Sequence, residues 1–549
     1  MNGFWLKYRN LAISYFCFTI VLLAQWGSSL ITPKVMPGGI GDSRFNLLML
    51  EHTYQSLKGD GSLFNANFFF PFKLVGGLSD LHIGSVVAYV IPRLAGINWF
   101  WSMKIWIVCG LILNYLSAQW ACKKLGLSLQ LRILVGLIFT FGLPAFAQQG
   151  HEQLLWRFDV PLCTYFLILV LSHYTSRNTL YLLGFLAHAF LCNVYTGTYT
   201  LIWLIVFGVF FRASKWKINL EPNNGGKFKI AKATASIFTI SCSIYIYFFY
   251  WLTSKTYGIH RNAREIQFYS PTPSSWVSST SSYTWKPISN ILTQQGGWWE
   301  NQLFLGVGIT LLLLVSIRQF WVARLGYLAK PMLIAVIVLA LSVTLFGNGS
   351  LFMLTSYIPG VNSLRVPGRI MLVLLFPLAL LAAAGLQAIN DSTGATTKEK
   401  KIYKLVALAL VATDLLLVYP ESSNISDWQS RAKTLIANNL SIINQNPSAI
   451  LFTFPGPPKQ PAGNSQIDGM FVAAILNRKT INGYSAWSPI STSAPTNCEG
   501  LKLWLSTNKS KLVLSSRTRS SLYDYQILGL GEFETCLIEP SAPKSKKNL

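Results

Sequence analysis

Long apolar runs broken by short, mostly basic, polar stretches set the pattern of this chain. The runs lie at 11–32, 102–121, 131–147, 158–173, 179–195, 197–211, 231–252, 302–317, 331–347, 369–389 and 402–419. A bilayer core takes roughly 17 to 25 apolar residues per helix, so the pattern predicts a mainly α, polytopic membrane protein of about eleven transmembrane helices. The segment 81–97 (LHIGSVVAYVIPRLAGI) is ambiguous, because it is short, interrupted by Pro92 and carries Arg93. Charge bias decides it. If this segment rests on the outer surface, Lys123, Lys124, Arg132, Arg177, the Arg212 to Lys232 cluster, Arg318, Arg324, Lys330 and Lys398 to Lys404 all face the cytoplasm, as does the N-terminus with Lys7 and Arg9. The stretch Gln25 to Leu30 has no small-residue cleavage pattern, so the first run reads as an uncleaved signal anchor.

This topology sends four segments to one outer face: the long first loop 33–101, the turn 148–157, the loop 253–301 with Trp276, Trp285, Trp298 and Trp299, and the segment 348–369. From about residue 420 the pattern turns soluble. Apolar runs at 449–454 and 511–515 read as strands, and 427–444, 466–477 and 499–506 read as helices, predicting a small extracytoplasmic α/β domain over 420–549 behind a transmembrane part over 1–419.

Composition agrees with a membrane chain: 52% of the 549 residues are hydrophobic and 12% are charged, against about one quarter charged in a soluble chain. The net charge of +25 is spread between apolar runs rather than gathered on one face, which argues against nucleic acid. Six of the eight cysteines lie in or beside apolar runs and none has zinc-ligand spacing, so they read as packing residues. Cys498 and Cys536 stand alone in the polar region, where an outside location would permit a disulfide. No Gly-rich phosphate loop, HExxH or GxSxG is present, which leaves nucleotide-fuelled chemistry and serine hydrolysis without support.

Ionisable residues cluster where the runs exit. The first loop carries Asp42, Arg44, Glu51 and His52, then Asp80 and His82; the next outside turn carries His151 and Glu152. Carboxylates and imidazoles at a membrane face suit a general base, ligands of a divalent ion such as Mg or Mn, or binders of sugar hydroxyls. Asp42, Asp80, His82 and Glu152 are the metal-ligand candidates. A helix over 45–57 would expose Glu51 and His52, and Arg157 with Asp159 reads as an anchor or ion pair. Arg365 and Arg369 flank Pro367 at the start of an apolar run, and their planar forks suit either a lipid phosphate or anchoring at headgroup depth.

The outside aspartate after the first run (GDSRFNLLMLEH), a second acidic turn (GHEQLLWRF), the RVPGR helix start and a trailing domain with NGY at 482–484 together resemble bacterial polytopic glycosyltransferases of the GT-C fold. The resemblance implies sugar transfer from a polyprenyl-phosphate-linked donor to a lipid, glycan or protein acceptor on the extracytoplasmic face of a bacterial inner membrane. It makes Asp42 the catalytic base and Glu152 the second acidic position, with His-Glu in place of a paired acidic motif. Arg44, His52, Asp80, His82, His151, Glu152, Arg365 and Arg369 are then the expected substrate-binding set. A transporter or lipid flippase is the alternative, and midplane ionisable sites would mark it. A non-catalytic assembly protein, with its polar groups scattered, is a third.

Overall fold

The computed structural model describes residues 2–214, 230–292, 296–318, 326–358, 361–391, 396–456, 462–489, 494–508 and 525–539. The chain is mainly helical and is an integral membrane protein. Among the described residues seven helices are long and apolar enough to cross a bilayer: Tyr8–Ile31, Trp99–Lys124, Leu129–Phe146, Glu152–Ser172, Val194–Ala213, Ala231–Tyr257 and Pro367–Asp391. The other four expected runs fold as the shorter helices Ser176–Cys192, Val307–Arg318 and Gly326–Val343 and the more polar Thr397–Leu416.

Helix starts follow from local chemistry. The side chains of Asn98, Thr175 and Asn193 accept from backbone N–H groups three residues on, satisfying donors that a first turn leaves free. Thr396 and Glu399 form a reciprocal capping box. The Pro367–Asp391 helix is the hub of the bundle, 94% of its apolar window being buried. Its small residues Ala382 to Gly385 permit close approach, since a Cβ on Gly385 would collide with the Leu312 carbonyl of the Val307–Arg318 helix. Ala231–Tyr257 lies at the other extreme, with 6% buried, a face left for lipid.

The segment 81–97 contains only the eight-residue helix Val87–Leu94, about 12 Å at 1.5 Å per residue. It packs on the helix Asp42–Leu57 through Arg93, whose Nε and Nη2 donate to Glu51 at 3.0 Å each. Tyr89 Oη donates to the same carboxylate at 2.6 Å. The expected exposure of Glu51 is therefore corrected: it is 7% exposed, because the returning loop supplies it with partners.

Residues after 420 pack onto the first loop. Strand Ser422–Asn424 pairs antiparallel with Val35–Pro37, Val35 opposite Asn424. A three-stranded sheet follows, Ile450–Thr453 parallel to Ile527–Leu530, which is antiparallel to Thr535–Ile538. Helices Ile425–Asn438, Leu440–Gln445, Ala462–Leu476 and Cys498–Thr507 flank it, so the expected helix over 427–444 breaks at Asn439. A disulfide joins Cys498 to Cys536. The strand expected at 511–515 lies outside the described residues.

Candidate active site

The site begins at the turn that ends the first membrane helix. Gly38 has φ +77°, and a Cβ there would collide with Ser43 and Glu152. Only glycine suits a position that is both left-handed and so closely covered. Two residues past the following Gly39-Ile40 pair, Asp42 opens the helix Asp42–Leu57, where a carboxylate complements the N-terminal dipole. The helix is clamped on both sides. Arg44 Nη2 donates to Asp468 at 2.5 Å with both side chains nearly inaccessible, and Asn46 Nδ2 donates to Glu152 at 3.0 Å and Gln153 at 2.7 Å.

Asp42 itself stays 37% exposed and bridges two neighbours. Tyr484 Oη donates to its Oδ1 at 2.7 Å, and His151 Nδ1 lies 3.3 Å from its Oδ2. The contacts continue inward. His151 Nε2 sits 3.1 Å from Glu300 Oε1, and Arg369 donates to the same carboxylate through Nε at 3.0 Å and Nη2 at 2.7 Å. Burial alone would depress the His151 pKa, but Glu300 and then Asp42 outweigh it and hold the imidazolium above its ordinary value. Burial likewise opposes ionisation of Glu300, yet Arg369 and His151 hold its carboxyl well below the usual range. Burial pushes the Tyr484 hydroxyl up, and the neighbouring Asp42 charge adds to this, so it stays a donor.

Asp42, His151, Arg369 and Tyr484 line one cavity of about 240 Å³, with Glu300 behind His151 and Arg369 rather than in the lining. Asp80, Arg261 and Arg365 line the same cavity. Tyr195, Tyr247, Tyr250, Trp251 and Trp487 add aromatic surface. Asp80 accepts from Asn193 Nδ2 at 2.6 Å and from the Val194 N–H at 3.0 Å, and burial pushes its pKa up to about 6. Arg261 and Arg365 both reach Glu265, at 3.0 and 3.4 Å. One carboxylate between two guanidinium groups leaves positive charge over for an anion. Arg365 is 29% exposed and stacks on Tyr269, so its fork is reachable from the cavity.

Four expected site residues lie elsewhere. Arg44 is spent on Asp468. His52 is turned to the Leu63 carbonyl, 2.9 Å away, and burial lowers its pKa. His82 is packed edge-on against Trp106, 1% exposed, with neither ring nitrogen hydrogen-bonded among the described residues and its pKa lowered by burial to about 3. Glu152 supports Asn46 from below and does not line the cavity. Asp42, Asp80, His82 and Glu152 consequently do not form a ligand set for Mg or Mn. Among the described residues the one group of three His, Cys, Asp or Glu side chains close enough to share a metal ion is Asp159, His188 and Cys192. The expected Arg157–Asp159 pair is also corrected: Arg157 donates to the carbonyls of Leu154, Phe139 and Thr140, and Asp159 pairs with His188. Glu300 and Tyr195 carried no signal read from the sequence, and Tyr484 entered only within NGY.

No family model and no curated protein matches the chain. Among solved structures it is similar to the arabinofuranosyltransferase AftD from Mycobacteria (14% identity, TM-score 0.45, 81% of this chain and 30% of that one). It is similar also to ArnT from Cupriavidus metallidurans (10% identity, TM-score 0.44, 96% and 93%). A third is an oligosaccharyltransferase from Archaeoglobus fulgidus (11% identity, TM-score 0.42, 86% and 64%). The chain thus spans under a third of AftD and about two thirds of the oligosaccharyltransferase. At these TM-scores the likeness assigns no chemistry, which rests on the cavity's own residues.

Proposed function

We propose that the chain is a membrane glycosyltransferase of GT-C type, taking a sugar from a polyprenyl-phosphate-linked donor and passing it to a lipid, glycan or protein acceptor at the extracytoplasmic face. The observation that carries this is the meeting of Asp42 with Arg261, Arg365 and Arg369 around one aromatic-walled cavity. Such a transfer forms a bond from the acceptor oxygen to the anomeric carbon and breaks the bond from that carbon to the phosphate oxygen. The acceptor proton goes to the exposed Asp42 carboxylate, and the phosphate leaves with its electron pair toward Arg365 and Arg261. Arg369 acts at one remove, because its fork is held by Glu300; it fixes Glu300, which orients His151 against Asp42. Asp80 and the tyrosines offer partners for sugar hydroxyls. No step is routed through a divalent ion, because the acidic side chains do not converge on one.

The test is Asp42→Asn in membranes given a panel of radiolabelled polyprenyl-phosphate hexoses and pentoses. The variant keeps shape and loses the base, so transfer should fall by about 10² to 10⁴ with insertion and melting unchanged. Near wild-type transfer would remove Asp42 from the chemistry. Movement of the lipid carrier across vesicles with no sugar transfer by the wild type would favour the flippase instead.

A further inference from the structure

Away from that cavity, the ends of two packed helices bring together three side chains the proposed reaction does not use. Asp159 begins the helix Asp159–Ser172, and His188 and Cys192 stand one turn apart on the last turns of Ser176–Cys192. One donor atom from each lies within 4.8 Å of the others. His188 Nδ1 is 2.9 Å from Asp159 Oδ2 and 3.6 Å from Cys192 Sγ. We propose that this triad is a structural site for a borderline-soft divalent cation, zinc in the first instance.

Three observations converge on it. A tetrahedron built on ordinary zinc bonds has nitrogen–sulfur and nitrogen–oxygen edges of about 3.6 and about 3.3 Å, so the two edges that meet at His188 Nδ1 already lie within tenths of an ångström of that geometry. His188 Nε2 lies 3.0 Å from the Gly84 carbonyl, and donating there turns the Nδ1 lone pair toward the other two groups. Metal-bound imidazoles are commonly oriented by such a second partner. Asp159 Oδ1 is fully buried with no hydrogen-bond partner among the described residues. A plain His–Asp pair accounts for Oδ2 alone and leaves that oxygen without a partner, while the thiol contacts the same His188 nitrogen at 3.6 Å.

Thiolate, imidazole and carboxylate together suit zinc better than magnesium or calcium, which prefer all-oxygen shells. Three protein ligands leave a fourth position for water. The placement also gives the ion a task. Cys192 is followed by Asn193 and Val194, the two residues that hold Asp80 in the cavity wall, and His188 is tied to Gly84 four residues beyond Asp80. An ion at the triad would lock both segments that set Asp80.

The full-length chain, purified in detergent through a non-histidine tag from zinc-supplemented medium without chelator, is assayed for metal by mass spectrometry. The wild type should carry close to one zinc per chain, Cys109→Ser should keep it, and His188→Ala and Cys192→Ser should lose it. Cobalt exchange should give a thiolate charge-transfer band in the wild type. Should the variants fail to fold, the wild type alone decides: no bound zinc and no such band overturn the site. Zinc retained in both folded variants overturns it equally. Neither result depends on sugar transfer, so the site and the proposed reaction fail separately.

Discussion

Both oxygens of Asp42 are engaged from opposite sides, by a phenol from the region after 420 and by an imidazole from the second outside turn. Tyr484→Phe keeps the ring, which packs edge-on against Phe45, and removes only the donated hydrogen bond. A hydrogen bond to a charged group contributes roughly 1.5 to 3 kcal/mol, so transfer should fall by about ten- to a hundredfold while melting stays the same. An unchanged rate would show that the carboxylate is oriented without the phenol. At Arg365 the contrast is between charge and shape: Arg365→Gln should raise the donor KM, and Arg365→Lys should recover it only in part, because lysine lacks the two-pronged fork. Full recovery with lysine would make Arg365 a headgroup anchor. Asp42, Asp80, His151, Arg365 and Arg369 were legible because charge beside an apolar run is conspicuous in any sequence. Glu300 was not, since its partners His151 and Arg369 are distant in the chain and its own neighbourhood, GGWWEN, reads as a headgroup loop. His52 was misread because ten residues of helix carry it about 15 Å along the axis from Asp42.

Two elements are held in place by buried charge. Asp468, on Ala462–Leu476, takes Arg44 at 2.5 Å and Arg431 at 3.2 Å, fastening the Asp42–Leu57 helix to the region after 420. Removing one member of a buried pair costs about 3 to 5 kcal/mol, because the other is left charged and dry. Asp468→Asn should therefore lower the unfolding midpoint in detergent markedly, and Arg431, which has Glu532 at 2.9 Å as a second partner, should soften the loss. His151 fastens the turn before Glu152 to the loop ending at Glu300, and this contact carries a pH signature. Its pKa is higher in the folded chain than in the unfolded one, so the contact is fully stabilising below the ordinary imidazole value of about 6.5 and fades as pH rises through the elevated folded value. Melting temperature should fall more between about pH 6 and about pH 9 for the wild type than for His151→Gln. Parallel curves would mean that His151 is neutral in the folded chain. Helix positions were largely readable from hydrophobic runs, whereas the short helix at 87–94 was not, because charge bias said only that 81–97 need not span. The Val35–Pro37 pairing with Ser422–Asn424 was not, because three-residue strands far apart in sequence leave no periodic trace.

That pairing constrains the whole molecule. Residue 35 follows the first candidate membrane helix and residue 424 follows Thr397–Leu416, so hydrogen-bonding between them puts the first loop, the cavity and the described residues packed after 420 on one side of the bilayer. Trp99–Lys124 starts on that side and ends in Lys123 and Lys124, and Thr397–Leu416 ends on it, at Val418 bridged to Ser282, after starting among Lys398, Lys400 and Lys401. The basic residues thus mark the opposite side, and the positive-inside rule predicts that this side faces the cytoplasm. In a background with the six free cysteines replaced, Leu440→Cys (50% exposed in the wild type) should react with a membrane-impermeant maleimide in intact cells. Lys398→Cys, at the exposed start of its helix, should react only after permeabilisation. Thr397–Leu416 is about 30 Å long at 1.5 Å per residue, enough to separate the two positions by the hydrocarbon core. The reverse labelling would put the cavity in the cytoplasm and remove the extracytoplasmic acceptor from the proposed reaction, and labelling of both in intact cells would break the assignment of Thr397–Leu416 as a crossing helix.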